Sequence, residues 1–217
     1  GAAAGRPLAG LLATTTTDQP EAVSFLENRG FKSQLKVVET KIELDAVDFA
    51  EYDQIISHVS KAGIKIRTLA KLIPIDTDYK TKLYDLEWVL RQDEPHTEAP
   101  KRAPFEVFEE EYFNQPSFDP ENWIIATHRN DYIGWSILYP HPSSDAGMHT
   151  SLTVVDRPYR RQGVGRAIKY VSFRRAKSLG KAWMTTSNEE SNPMLQLNLS
   201  LGYQPQRTRL EYKLESL

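Results

Sequence analysis

The apolar positions of this 217-residue chain change period several times, and each change marks an element. From Val164 onward they fall at Val164, Ala167, Ile168 and Val171, the spacing of a helix with one buried face, and Gly180 stops that helix. The run before it, Met148 to Val155, reads as a strand. After it, Ala182 to Thr186 reads as another strand. Asn192-Pro193 then opens a second helix, with Asn as N-cap and Pro in the first turn, and Gly202 ends it. Upstream, Ile64 to Leu69 is a short strand, while Thr77 to Arg91 and Pro104 to Phe113 carry helical spacing. Trp123 to His128 and Tyr132 to Tyr139 form a hairpin around Arg129-Asn130-Asp131, and Arg207 to Glu215 alternates as a last strand.

The beginning of the chain echoes its end. Thr14 to Leu44 can be laid on Thr186 to Ser216 without a gap, so that Gly30-Phe31 falls on Gly202-Tyr203, and Glu39, Lys41 and Glu43 fall on Glu211, Lys213 and Glu215. Leu11 to Leu44 therefore reads as strand, helix and closing strand. Such a fragment has too little apolar surface to fold alone. It is expected to pack on the rest of the chain, on another copy of the chain, or on sequence upstream of it.

Arg160 to Gly165, reading Arg-Arg-Gln-Gly-Val-Gly, lies between the Met148–Val155 strand and the helix that follows. The first turn of a helix has N–H groups without intrahelical partners and the positive end of the macrodipole. Gly163 and Gly165 let an anion approach the backbone, and Arg160, Arg161 and Arg166 can supply charge-assisted hydrogen bonds, with Lys169 and Arg174 peripheral. This is the pattern of a site for a phosphate-bearing ligand. A dinucleotide fingerprint would need a third small residue where Ile168 stands, and a P-loop would need a Lys-Ser/Thr pair.

Composition narrows the class. Cysteine is absent, which excludes disulfides, a Cys-acyl intermediate and thiolate zinc sites, and the five histidines show no metal-ligand spacing, so no metal is expected. A net charge of -2 gives no field for nucleic acid, and no stretch is long and apolar enough to predict a membrane span. The N-terminal Gly-Ala-Ala-Ala-Gly lacks the features of a signal peptide, and the missing Met indicates processing or truncation. The expected setting is cytoplasmic.

Strand, Arg-x-x-Gly-x-Gly helix, strand, and then Asn192-x-Met194-x-x-x-Asn198-x-x-Leu201-Gly202-Tyr203 is a specific combination. It resembles the acyl-CoA-dependent, GCN5-related N-acetyltransferase (GNAT) superfamily. Within it, Thr153 to Gly165 and the Asn-rich second motif resemble the tandem-domain bacterial branch that includes mycothiol synthase. The resemblance implies an α/β fold with a mixed central sheet flanked by helices. It divides the chain into a partial, degenerate GNAT-like unit (1–45), a linking helix (46–63) and a complete acetyltransferase domain (64–217).

The resemblance also implies roles. Acetyl-CoA is the expected co-substrate and the primary amine of a small molecule the expected acceptor, with direct transfer. Thr153, Val154 and Val155 would offer backbone partners to the pantetheine arm, with a main-chain N–H near Val155 for the thioester oxygen. Arg160, Arg161, Gln162, Gly163, Val164, Gly165 and Arg166 would meet the pyrophosphate. Asn192 would face the arm or serve only as N-cap, with Asn188 beside it. Many members place a Glu eleven residues before the motif's first Arg/Gln; here that residue is His149, whose reference pKa of about 6.5 suits a base. Glu189, Glu190 and Asp145 are alternatives. Where many relatives carry an acid Tyr, four residues before the Gly, this chain has Asn198, which hydrogen-bonds but has no titratable proton; Tyr203 and Tyr159 are weak substitutes. The acceptor side would include Trp88, Glu94, Phe105, Phe108, Glu109 to Glu111, Tyr112 and Trp123, although an acidic run is more often a solvated helix face and a Trp more often core. A non-catalytic acyl-CoA-binding or regulatory module is the alternative function.

Overall fold

The computed structural model describes residues 10–92 and 100–215. In chain order the elements are β1 (Leu11–Thr16), α1 (Pro20–Asn28), β2 (Lys32–Glu43), α2 (Ala50–Lys61), β3 (Ile64–Thr68), α3 (Leu69–Leu72), α4 (Tyr79–Arg91), α5 (Phe105–Tyr112), β4 (Trp123–His128), β5 (Asp131–Pro140), β6 (Gly147–Val155), α6 (Val164–Ser178), β7 (Trp183–Glu189), α7 (Pro193–Ser200) and β8 (Gln204–Leu214). They form two compact units, one of residues 43–185 and the other of residues 10–42 with 186–215.

In the 43–185 unit, β3, β4, β5 and β6 pair in sequence order, each antiparallel to the next. Side chains alternate across such strands. Trp123, Ile125, Trp135, Ile137 and Val154 thus share a face and pack with Leu83, Leu86 and Phe108 of α4 and α5. Each buried side chain of this size contributes about 1.5–3 kcal/mol. Gly134 shows how closely the layers approach. A Cβ there would lie 2.7 Å from the Val154 carbonyl oxygen and 3.1 Å from Ile168 Cδ1 of α6. The alternation breaks between Ile137 and Leu138, where Ser151 is inserted in β6, so that Leu138 faces Thr150 and Tyr139 faces His149.

The other unit is organised about β8, which pairs antiparallel with both β1 and β2. The β2–β8 register is self-symmetric. When residues 14–44 are laid on 186–216, exchanging equivalent positions turns Lys32↔Lys213 into Lys41↔Gln204, Ser33↔Tyr212 into Thr40↔Pro205, and Lys36↔Leu210 into Val38↔Thr208. Val37↔Arg209 maps onto itself, and the two register shifts of the ladder map onto each other. The helix ends correspond too, since Phe31 N–H donates to Leu26 O and Tyr203 N–H to Asn198 O, both at 3.1 Å. At the helix starts the correspondence moves by one residue, because Gln19-Pro20 matches Asn192-Pro193 and α1 is one residue longer than α7. Thr17 N–H to Thr208 O and Glu190 N–H to Lys36 O, both 2.9 Å, follow the same one-residue offset.

Candidate functional site

Within the 43–185 unit, β6 delivers the chain to the glycine-rich loop. Val154 and Val155 are buried, Thr153 Oγ1 lies 3.0 Å from Ser136 Oγ of β5, and Asp156 N–H donates to Ile133 O at 2.8 Å. The Thr153 hydroxyl is thus engaged, so Thr153, Val154 and Val155 can offer a ligand their main-chain groups. Arg160 folds back so that its Nε donates to Val155 O at 2.8 Å, and Gln162 Nε2 donates to Pro158 O at 2.7 Å. Tyr159 Oη sits 3.0 Å from His128 Nδ1, a partner that holds this phenol against β4.

The loop then turns through two left-handed residues, Arg161 with φ 62° and Gly163 with φ 82°. Gly163 is the N-cap of α6 and makes no side-chain cap, so the N–H groups of Val164 and Gly165 begin a 15-residue helix whose dipole favours an anion. A non-glycine residue in the left-handed region is uncommon and strained. At Arg161 it lifts an exposed guanidinium that makes no ion pair among the described residues.

The other expected cations are placed differently. Arg166 Nη1 lies 3.3 Å from Glu51 Oε2 on α2, and the same carboxylate accepts from Tyr170 Oη at 3.0 Å. Arg174 stacks 3.6 Å over the Tyr52 ring and lies 4.0 Å from Asp53. Lys169 is not a peripheral cation: it is 1% exposed, and burial pushes its ammonium down to about 7. The reason for Gly163 is also local. A Cβ there would lie 2.7 Å from Ile55 Cδ1 of α2, so the glycine makes room for a helix as well as for any ligand.

His149 stands in β6 opposite Tyr139, with its Nδ1 3.0 Å from Thr185 Oγ1. That contact fixes the imidazole plane. The alternatives are less suited to a base. Glu189 accepts from both the hydroxyl and the N–H of Ser191, which holds its carboxyl below the usual value, and Glu190 pairs with Lys36 at 3.8 Å. The Asp145 main-chain carbonyl accepts from the Lys181 ammonium at 2.6 Å.

On the acceptor side, Trp123 of β4 and Phe108 of α5 are 1% and 2% exposed and belong to the core, where large aromatic side chains are usually well buried. Glu109 pairs with Lys80 at 2.7 Å and Glu111 with Arg91 at 3.7 Å. Sequence reasoning missed the buried Glu87, which bonds Arg91 and, together with burial, pushes Tyr112 up to about 12. No sequence signal separates it from Asp85, the exposed carboxylate of the same helix. Glu94 lies outside the described residues.

In the other unit, Asn192 caps α7, its Oδ1 accepting the Met194 N–H at 2.9 Å, and Pro193 occupies the first turn. Asn192→Ala is expected to lower unfolding free energy by about 1 kcal/mol in urea titration. Asn198 is fully buried, and its Nδ2 donates to Asn188 Oδ1 at 2.7 Å. Tyr203 is also buried.

Among solved structures, the chain is similar to the GCN5-related N-acetyltransferase from Sphaerobacter thermophilus, at 17% identity and a TM-score of 0.68, covering 95% of this chain and 60% of that one. It is also similar to a tandem GNAT protein from the clavulanic acid biosynthesis pathway, at 18% identity and a TM-score of 0.64, covering 95% and 64%. At these identities the likeness is one of fold, and the chain spans less than two thirds of either structure. None of the curated proteins matches it. The model of the acetyltransferase (GNAT) family matches residues 81–202, from α4 to the glycine that closes α7. With more than half of its length so matched, and an α/β architecture of mixed sheet and flanking helices, the chain belongs to the GNAT family.

Proposed function

We propose that the chain is an N-acetyltransferase that moves an acetyl group from acetyl-CoA to the primary amine of a small molecule. The observation that carries this reading is the loop between β6 and α6: a left-handed Arg161, a left-handed Gly163 and the open N–H groups of a long helix, inside the segment matched by the family. Backbone N–H groups and Arg161 would hold the pyrophosphate. In the reaction, the amine nitrogen attacks the thioester carbon, the C–S bond breaks, and coenzyme thiolate leaves. His149, held at Nδ1 by Thr185, is proposed to take the amine proton, directly or through water. Thr153 to Val155 would pair with the pantetheine arm through main-chain groups.

Calorimetric titration with acetyl-CoA tests the shared premise. Arg161→Glu is expected to weaken acetyl-CoA about tenfold or more, because it reverses the charge of the loop's unengaged cation while leaving the described contacts intact. Unchanged affinity would remove the pyrophosphate assignment. A mass-spectrometric screen of primary amines, with His149→Ala as control, then tests catalysis. Coenzyme binding without acetylation of any amine and without thioester hydrolysis would assign a non-catalytic acyl-CoA-binding or regulatory module instead.

The organisation is part of the same proposal. The self-symmetric β2–β8 ladder supports reading residues 1–45 as a degenerate copy of the strand–helix–strand that ends a GNAT domain, 46–63 as the linker and 64–217 as the catalytic domain, in the manner of the tandem branch that includes mycothiol synthase. The first copy has no glycine-rich loop of its own. A second copy of the chain, or upstream sequence, would complete it.

A further inference from the structure

The 43–185 unit has a cleft that the reaction proposed above does not use. It holds about 250 Å³ and is bounded by α2, β3 and α6. Three consecutive residues of β3, Lys65, Ile66 and Arg67, line it. Successive side chains of a strand point to opposite faces, so a cavity that touches all three runs along the edge of the strand and not over one face. β4 occupies one edge of β3, and among the described residues no strand occupies the other. The cleft therefore follows the open edge, with α2 and Val171 of α6 as its far wall.

That edge keeps the features of a strand that accepts another strand. Alternate residues of β3 direct N–H and C=O groups away from β4. Outside the β3–β4 ladder, no backbone–backbone hydrogen bond reaches residues 64–68 among the described residues. The wall offers apolar contact: Val59 is buried, while Ile56, Ile66 and Val171 are half-buried and so still reachable. Ile66 shares its face with Ala126 and Gly134, the face that α6 covers, and Lys65 and Arg67 share the other. Neither cation enters an ion pair among the described residues. The order along the edge is cation, apolar, cation. It disfavours a second copy of the chain as the occupant, because antiparallel pairing of two β3 strands about Ile66 would bring Lys65 and Arg67 of the two copies directly opposite each other.

We infer that the β3 edge is a docking site for an extended acidic peptide segment of a partner protein. The segment adds antiparallel to β3, an apolar residue enters the cleft beside Ile66, and the Asp or Glu residues on either side of it meet Lys65 and Arg67. Main-chain hydrogen bonds to β3 supply affinity, and the order of acidic, apolar and acidic residues supplies specificity. In an antiparallel pair, directly opposite residues share a face, which puts both carboxylates on the side of the two cations and the apolar side chain on the side of α6. The inference does not rest on the coenzyme reading, since none of these residues belongs to the glycine-rich loop.

Amide chemical-shift titration of the full, isotope-labelled chain with the capped pentapeptide acetyl-Thr-Glu-Leu-Glu-Thr-amide tests it. Saturable shifts are expected at the amides of residues 64–68 and along α2. The peptide with both Glu replaced by Lys is expected to bind about tenfold more weakly or worse. A comparable loss is expected for the acidic peptide N-methylated at two consecutive residues, because one of two successive N–H groups must face β3. In the double variant Lys65→Glu, Arg67→Glu the preference between the acidic and basic peptides is expected to reverse, which a misfolded chain would not show. No saturable shifts at these amides, equal affinity for the acidic and basic peptides, or indifference to N-methylation would each overturn the proposal. Free glutamate that binds as tightly as the pentapeptide would overturn it in favour of a small-anion site, and a wild-type dimer that covers residues 64–68 in favour of a second copy.

Discussion

Replacing Gly163 by valine is expected to destabilise the protein by about 2–5 kcal/mol, measured by urea unfolding. Two separate terms add. Gly163 has φ 82°, and a β-branched residue in the left-handed region costs roughly 1–2 kcal/mol. A Cβ there also falls 2.7 Å from Ile55 Cδ1, an overpacking that costs roughly 1–3 kcal/mol more. A double-mutant cycle with Ile55→Ala separates them, since shortening Ile55 relieves the second term and leaves the first. A loss below about 0.5 kcal/mol would show that α2 does not pack on the loop as described. The result bears on function because one glycine serves the loop conformation, the helix cap and the seat of α2.

Lys169 gives the second large effect, through pH. Burial lowers its pKa to about 7, against about 10.4 in an unfolded chain. Between those values the unfolded chain holds the proton more tightly, so stability rises with pH from about 7 to about 10 and the full penalty applies below about 7. Lys169→Met keeps most of the volume and removes the titration. The variant is expected to be more stable than the wild type at pH 7 by on the order of 3 kcal/mol, with the difference shrinking towards zero near pH 10. A difference that does not vary with pH would show that the ammonium keeps its ordinary pKa in the folded state.

These two positions mark where sequence reasoning stopped. The strands and helices were legible because their periods differ: Val164, Ala167, Ile168 and Val171 recur at helical spacing, and all four are part of the face that α6 turns inward or half-buries. The four-residue α3 was not, because a single turn has no period. Asn192 was legible as a cap because Asn-Pro is a local signal, and Trp123 was legible as core because a large apolar ring has few other places to go. The long-range partners had no such trace. Glu51 meets Arg166 and Tyr170, and Ile55 meets Gly163, across more than 100 residues of chain. Lys169 sits one residue after Ile168 in the apolar stripe, where its charge suggested an outward face and its neighbours dictated an inward one. Asn188 gained meaning only as the acceptor for Asn198 Nδ2.

The self-symmetric ladder of β8 has a consequence for the order in which the chain can assemble. β1 and β2 both pair with residues 204–214, so these two strands wait for a partner made more than 160 residues later. Closing so long a loop comes late and slowly, whereas β3 to β6 pair over much shorter sequence separations. Until β8 is made, the uncharged Leu11–Thr16 segment has an open strand edge that needs shielding from self-association.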